Sequence, residues 1–87
     1  MVNKMDLEDY RKRIDDIDSQ IIELLARRLQ IVKEVRNLKL KNNMPLYDER
    51  REFEILASVE ELSREYGLDS EYVLEIFKRI LSESHRI

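Results

Sequence analysis

Seven polar residues fall on or near faces that helical spacing turns inward: Arg11, Arg28, Lys39, Asp48, Arg51, Glu52 and Ser84. Cations outnumber acids in this set, although the whole chain has a formal net charge of -3. Guanidinium groups grip carboxylates in a bidentate fork, an ammonium acts as a point charge, and a carboxylate or a serine can hold a hydroxyl. Together these residue types suit a small dianion that also carries a hydroxyl. Arg28 is the sharpest member. A buried guanidinium is costly unless an anion answers it, so either a partner carboxylate or an anionic ligand must.

The element that carries Arg28 is read from a heptad. Leu7, Ile14, Ile21, Arg28 and Val35 form one series, and Tyr10, Ile17, Leu24, Ile31 and Leu38 its companion. An apolar seam sustained over more than four repeats and broken by one guanidinium predicts a single helix over about 6–41. The turn Asn42-Asn43-Met44-Pro45 ends it, since Pro45 cannot continue a helix and disfavours a helical Met44. A second helix, about 48–66, starts at Asp48 as N-cap, turns Ile55, Leu56, Val59, Leu62 and Tyr66 inward, and stops at Gly67. A third, about 70–86, is capped by Asp69 or Ser70 and turns Val73, Ile76, Phe77, Ile80 and Leu81 inward. The fold class is therefore all-α, a single three-helix domain over 1–87 with one very long N-terminal helix.

That first helix is about 50 Å long at ~1.5 Å per residue. A compact chain of this size has a radius of gyration near ~12 Å. Two short helices do not cover such a seam, which predicts an intertwined helical homodimer. Lys39 follows Arg28 by three turns plus roughly 20°, about 16 Å along the axis, which leaves room for a metabolite between the two cations. Arg11 precedes Arg28 by about 25 Å and is turned off by roughly 100°. In an antiparallel dimer, Arg11 of one chain arrives beside Arg28 of the other.

Each residue also has a plainer reading. Arg28 alone suits a buried ion pair or a register device, and Lys39 a helix-end lysine reaching for water. Arg11 sits among Lys12, Arg13, Asp15 and Asp16, as on a solvated face. Asp48 suits a simple cap, Glu52 a partner of Arg51 or Arg28, and Ser84 a bond to its own helix backbone. The lone His85 reads as structural or exposed.

Composition narrows the classes further. With one Gly, one Pro, no Cys and 40% charged residues, long helices with solvated faces fit and sandwiches or α/β units do not. The absence of cysteine excludes a disulfide framework and thiol chemistry. Interspersed charges of both signs lack the basic stripe that nucleic acid requires. Neither an apolar signal core in residues 1–6 nor a membrane span is visible, and a cytoplasmic protein is expected.

Five segments in order resemble the all-helical, AroQ-type chorismate mutases over nearly the whole chain. They are Tyr10-Arg11-Lys12-Arg13-Ile14-Asp15-Asp16-Ile17-Asp18, Leu24-Leu25-Ala26-Arg27-Arg28, Val35-Arg36-Asn37-Leu38-Lys39, Pro45-Leu46-Tyr47-Asp48-Glu49-Arg50-Arg51-Glu52 and Ile80-Leu81-Ser82-Glu83-Ser84. The resemblance implies a dimer with two shared active sites and the Claisen rearrangement of chorismate to prephenate, on the way to phenylalanine and tyrosine. It implies that Arg28 binds a substrate carboxylate, that Arg11 reaches another from the partner chain, and that Lys39 stands by the ether oxygen. The Asp48 and Glu52 region would hold the ring hydroxyl, with Arg51 and Ser84 completing the wall. Lys39, Arg28 and Glu52 would carry the catalysis.

A pericyclic rearrangement passes through no covalent intermediate and transfers no proton, so neither metal nor cofactor is expected. The family commonly places a glutamine or glutamate one turn beyond the serine, which falls after Ile87. This leaves His85 or Arg86 as partial substitutes, a weakened activity, or a longer natural chain. Two rival readings share the scaffold: an isochorismate-pyruvate lyase, and a non-catalytic helical dimer regulating an enzyme of aromatic biosynthesis.

Overall fold

The structure, a computed structural model, describes residues 6–87; the reading of residues 1–5 lies outside them. Three helices appear in the order α1 (Leu7–Lys41), α2 (Glu49–Glu65) and α3 (Ser70–Ser84), with no strand among the described residues. The chain is all-α, as its periodicity predicts. Helix bounds differ from those expected by one or two residues, because Asp48, Tyr66 and His85 serve as caps. No described helix is long and apolar enough to cross a membrane. Two compact units divide the chain, one ending at Val32 and the other comprising Lys33–Ile87.

In the first unit, Asp6 and Asp9 cap α1 reciprocally. The Asp9 amide donates to Asp6 Oδ1 at 3.0 Å and the Asp6 amide to Asp9 Oδ2 at 3.2 Å, which answers two of the amides a helix start leaves orphaned. Glu8 and Asp9 complement the helix dipole there, as Lys39 and Lys41 do in the last turn. No residue of α1 is buried. Leu7, Tyr10, Ile14, Ile17, Ile21, Leu24, Ile31 and Leu38 each expose more than half of their surface, and Val35 exposes 43%. The apolar seam is real, and it lies open.

In the second unit α1 stops before its proline. Asn43 takes the left-handed conformation, φ 54°. The Met44 amide donates to Lys39 O at 2.8 Å and the Asn43 amide to Leu40 O at 3.3 Å. This is the paired bonding of a Schellman stop, with asparagine in the place glycine usually takes. Gly67 ends α2 in the same way at φ 69°, with Leu68 N donating to Ser63 O at 2.8 Å and Gly67 N to Arg64 O at 3.1 Å. A Cβ at Gly67 would meet nothing within 4 Å, so its backbone angle rather than its space calls for glycine.

Helices α2 and α3 pack as an antiparallel hairpin around Val59 and Leu81, with Ile55, Leu56, Val73, Phe77 and Ile80 half-buried. The expected inward face of α2 needs one correction. Leu62 and Tyr66 are exposed, Tyr66 by 78%, and the inward position one turn after Val59 belongs to Ser63. Its hydroxyl donates to Val59 O at 2.7 Å, which removes the cost of burying it and puts a small residue at the helix contact. On α3, Ile76 is 40% exposed and the other four expected residues turn inward.

Candidate active site

The loop between α1 and α2 brings chemistry-bearing residues of the second unit together. Lys39, in the last turn of α1, is half-buried and its Nζ donates to the Leu46 carbonyl at 3.2 Å. An ammonium has three donors, so this bond fixes the side chain and occupies one of them. The loop then delivers Asp48, whose Oδ1 accepts from the Arg51 amide at 3.1 Å and starts α2.

Glu52, one turn into α2, has a side chain only 23% exposed. Its Oε2 accepts from His85 Nε2, which stands at the C-cap of α3. The His85 ring also meets Tyr47 edge-on, with centroids 5.1 Å apart and planes at 80°. Partial burial, and then the carboxylates of Glu52 and Glu49, push the Tyr47 phenol above its ordinary value of 10.0. Tyr47, Glu52 and His85 thus form one cluster that ties the loop, the start of α2 and the end of α3.

The remaining candidates have local partners. Arg51 lies 3.8 Å from Glu54 Oε2 and Glu52 meets His85, so of the plainer readings of Glu52, a partner of Arg51 or of Arg28, the first gives way to these contacts. Both ends of the Arg51–Glu54 pair are exposed, and such a contact contributes little. Ser84 is part-buried and donates to the Ile80 carbonyl at 3.0 Å. In the first unit, Arg11 pairs with Glu8 at 3.1 Å on an exposed face, and Arg13 lies 5.8 Å from the centre of the Tyr10 ring. Arg28 is half-buried on α1 beside Leu29.

From the sequence, His85 reads as structural or exposed, or as a partial substitute for the glutamine the family places one turn beyond the serine, and Tyr47 is not among the candidate site residues. The signals for His85 were its nearness to the family's glutamine position and its place beside Ser84, on the helix end that returns toward Glu52. For Tyr47 the signal was its place between Leu46 and the Asp48 cap.

A family model described as "Chorismate mutase type II" matches residues 10–87. The "Bifunctional chorismate mutase/prephenate dehydratase" of Buchnera aphidicola subsp. Schizaphis graminum is 36% identical over 84 residues, 97% of this chain and 22% of that protein. The "T-protein" of Enterobacter agglomerans is 31% identical over 80 residues, 92% of this chain and 21% of its own length. A protein of Methanocaldococcus jannaschii named "Chorismate mutase" is 31% identical over 78 residues, 90% of this chain and 79% of its own length. The chain therefore spans about a fifth of the length of the first two relatives and most of the third.

Proposed function

The chain belongs to the type II chorismate mutase family, and from that premise we propose that it converts chorismate to prephenate in the cytoplasm, as an intertwined homodimer, for phenylalanine and tyrosine synthesis. The observation that carries the reading is the shared loop. It holds the Lys39 ammonium through Leu46 and leads through Asp48 to the Glu52 carboxylate.

The rearrangement breaks a C–O bond as a C–C bond forms, within one molecule and with no proton transferred. Two things accelerate it. The first is holding the flexible substrate in the compact conformer that brings the reacting carbons together. Arg28, with Arg11 arriving from the partner, clamps the two carboxylates, while Glu52 and the Asp48 region hold the ring hydroxyl. Arg51 and Ser84 complete the pocket wall. The second is a fixed positive charge where negative charge develops. Lys39 faces the ether oxygen as the C–O bond opens and stabilises that charge without reorganising.

The open seam on α1 supports the dimer, because a helix face of this length needs a second copy to leave water. If Arg11 of one chain meets Arg28 of the other, the two-fold axis lies near residues 19 and 20. Ile17 then lies level with residue 22 of its partner, near the centre of the interface, between the partner's seam residues Ile21 and Leu24.

Loss of chorismate absorbance with the purified protein, with prephenate identified as product, tests the reading. Metal-independent turnover is expected. A folded dimer that leaves chorismate untouched overturns it, and pyruvate release from isochorismate would assign the lyase instead.

A further inference from the structure

His85 has no part in the chemistry just described, yet its side chain makes the contact that joins the end of α3 to the start of α2. We propose that His85 is a positioning residue: it fixes Glu52 through Nε2–H to Oε2 and presents Oε1 to the ligand hydroxyl. The inference rests on the chorismate mutase reading for the identity of that hydroxyl, and on geometry for the rest.

Three observations carry it. A carboxylate only accepts, so the contact makes Nε2 the protonated nitrogen of the imidazole and leaves the remaining lone pairs of Glu52 for other donors. The ring is held from a second side by its edge-on contact with Tyr47, whose neighbour Leu46 anchors Lys39. The backbone beneath it is fixed as well, since the His85 amide donates to Leu81 O at 3.3 Å. A long acidic side chain with three rotatable bonds loses freedom when one oxygen is held, and its hydroxyl contact is then made in a preset direction. One imidazole thus couples the carboxylate to the loop that also holds the catalytic ammonium.

Two variants separate donor from packing. His85→Phe keeps a ring against Tyr47 and removes the donor, while His85→Gln keeps a donor at similar reach. We expect His85→Phe to lower kcat/KM about tenfold and His85→Gln to restore most of it, by analogy with the partners that orient metal ligands. In a Glu52→Ala background, His85→Phe should cost nothing more, because its effect passes through Glu52.

An undiminished His85→Phe enzyme overturns the proposal, as does an equal further loss on top of Glu52→Ala, which would mark a merely structural role. Side-chain nitrogen NMR gives a readout independent of activity: His85 should be held as the Nε2–H tautomer, and Glu52→Ala should release it. An unchanged tautomer in Glu52→Ala overturns the pairing. An inactive wild type with the tautomer held by Glu52 overturns the chorismate reading instead.

Discussion

Ile17 lies at the proposed centre of the interface and is 54% exposed on the single chain. Fully burying a side chain of its kind contributes about 1.5–3 kcal/mol, so the exposed half is worth about 1 kcal/mol. The nine apolar residues of the seam then bring on the order of 10 kcal/mol per chain, or roughly 20 kcal/mol for the pair. Association itself costs ~4–15 kcal/mol. A mid-range cost leaves about 10 kcal/mol, a Kd on the order of 10–100 nM.

Ile17→Glu removes that burial in both copies and sets two carboxylates into an apolar seam, each at several kcal/mol. A total of about 8 kcal/mol raises Kd roughly a millionfold, past the millimolar range. Glutamate is at least as good a helix former as isoleucine, so the substitution does not weaken α1 by propensity.

Sedimentation equilibrium at about 10 µM distinguishes the outcomes, since these Kd values bracket that concentration. The wild type should weigh twice the chain mass of 10.6 kDa, and the variant should weigh 10.6 kDa or unfold as it dissociates. A helical wild type sedimenting at 10.6 kDa, or a variant that keeps the wild-type mass, refutes the reasoning.

Other perturbations test separate parts of the structure. Arg11→Ala and Arg28→Ala should each cost at least ~10²-fold in turnover. Mixing the two should restore about one working site per mixed dimer if the sites are shared. Asn43→Val should destabilise the chain by about 1–2 kcal/mol, because a β-branched residue resists the left-handed angle, whereas Asn43→Gly should not; denaturant midpoints read the difference. The Tyr47 phenol is raised above 10.0, so the folded state holds this proton more tightly than the unfolded one. Its contribution is complete below pH 10 and is lost as pH rises through the raised value. Tyr47→Phe should flatten that alkaline fall in a melting series.

The three helices were legible because their signals are local and periodic. Ten positions at heptad spacing define α1, and a cap residue or a glycine marks most of the other ends. What was misread depends on choices that period alone leaves open. The turn Asn42-Asn43-Met44-Pro45 ends α1 as expected, but the spacing did not say that Asn43 closes it by adopting a left-handed angle that asparagine tolerates. On α2, both Ser63 and Tyr66 are in phase with Val59. Only the close approach of α3 decides that the small residue turns inward and the tyrosine does not.

The site divides along the same line. Lys39, Asp48, Arg51 and Glu52 stand close in sequence, and their residue types are what suggests the proposed ligand, an anion with a hydroxyl. His85 is thirty-three residues from Glu52 and joins it only because a hairpin returns the end of α3 to the start of α2. No spacing rule reaches across such a turn. A proposed positioning residue such as His85 is therefore harder to read from the sequence than Glu52 itself. In the proposed arrangement Glu52 must place one oxygen, whereas its support needs only an N–H within reach. That asymmetry makes His85→Gln, rather than alanine, the informative exchange.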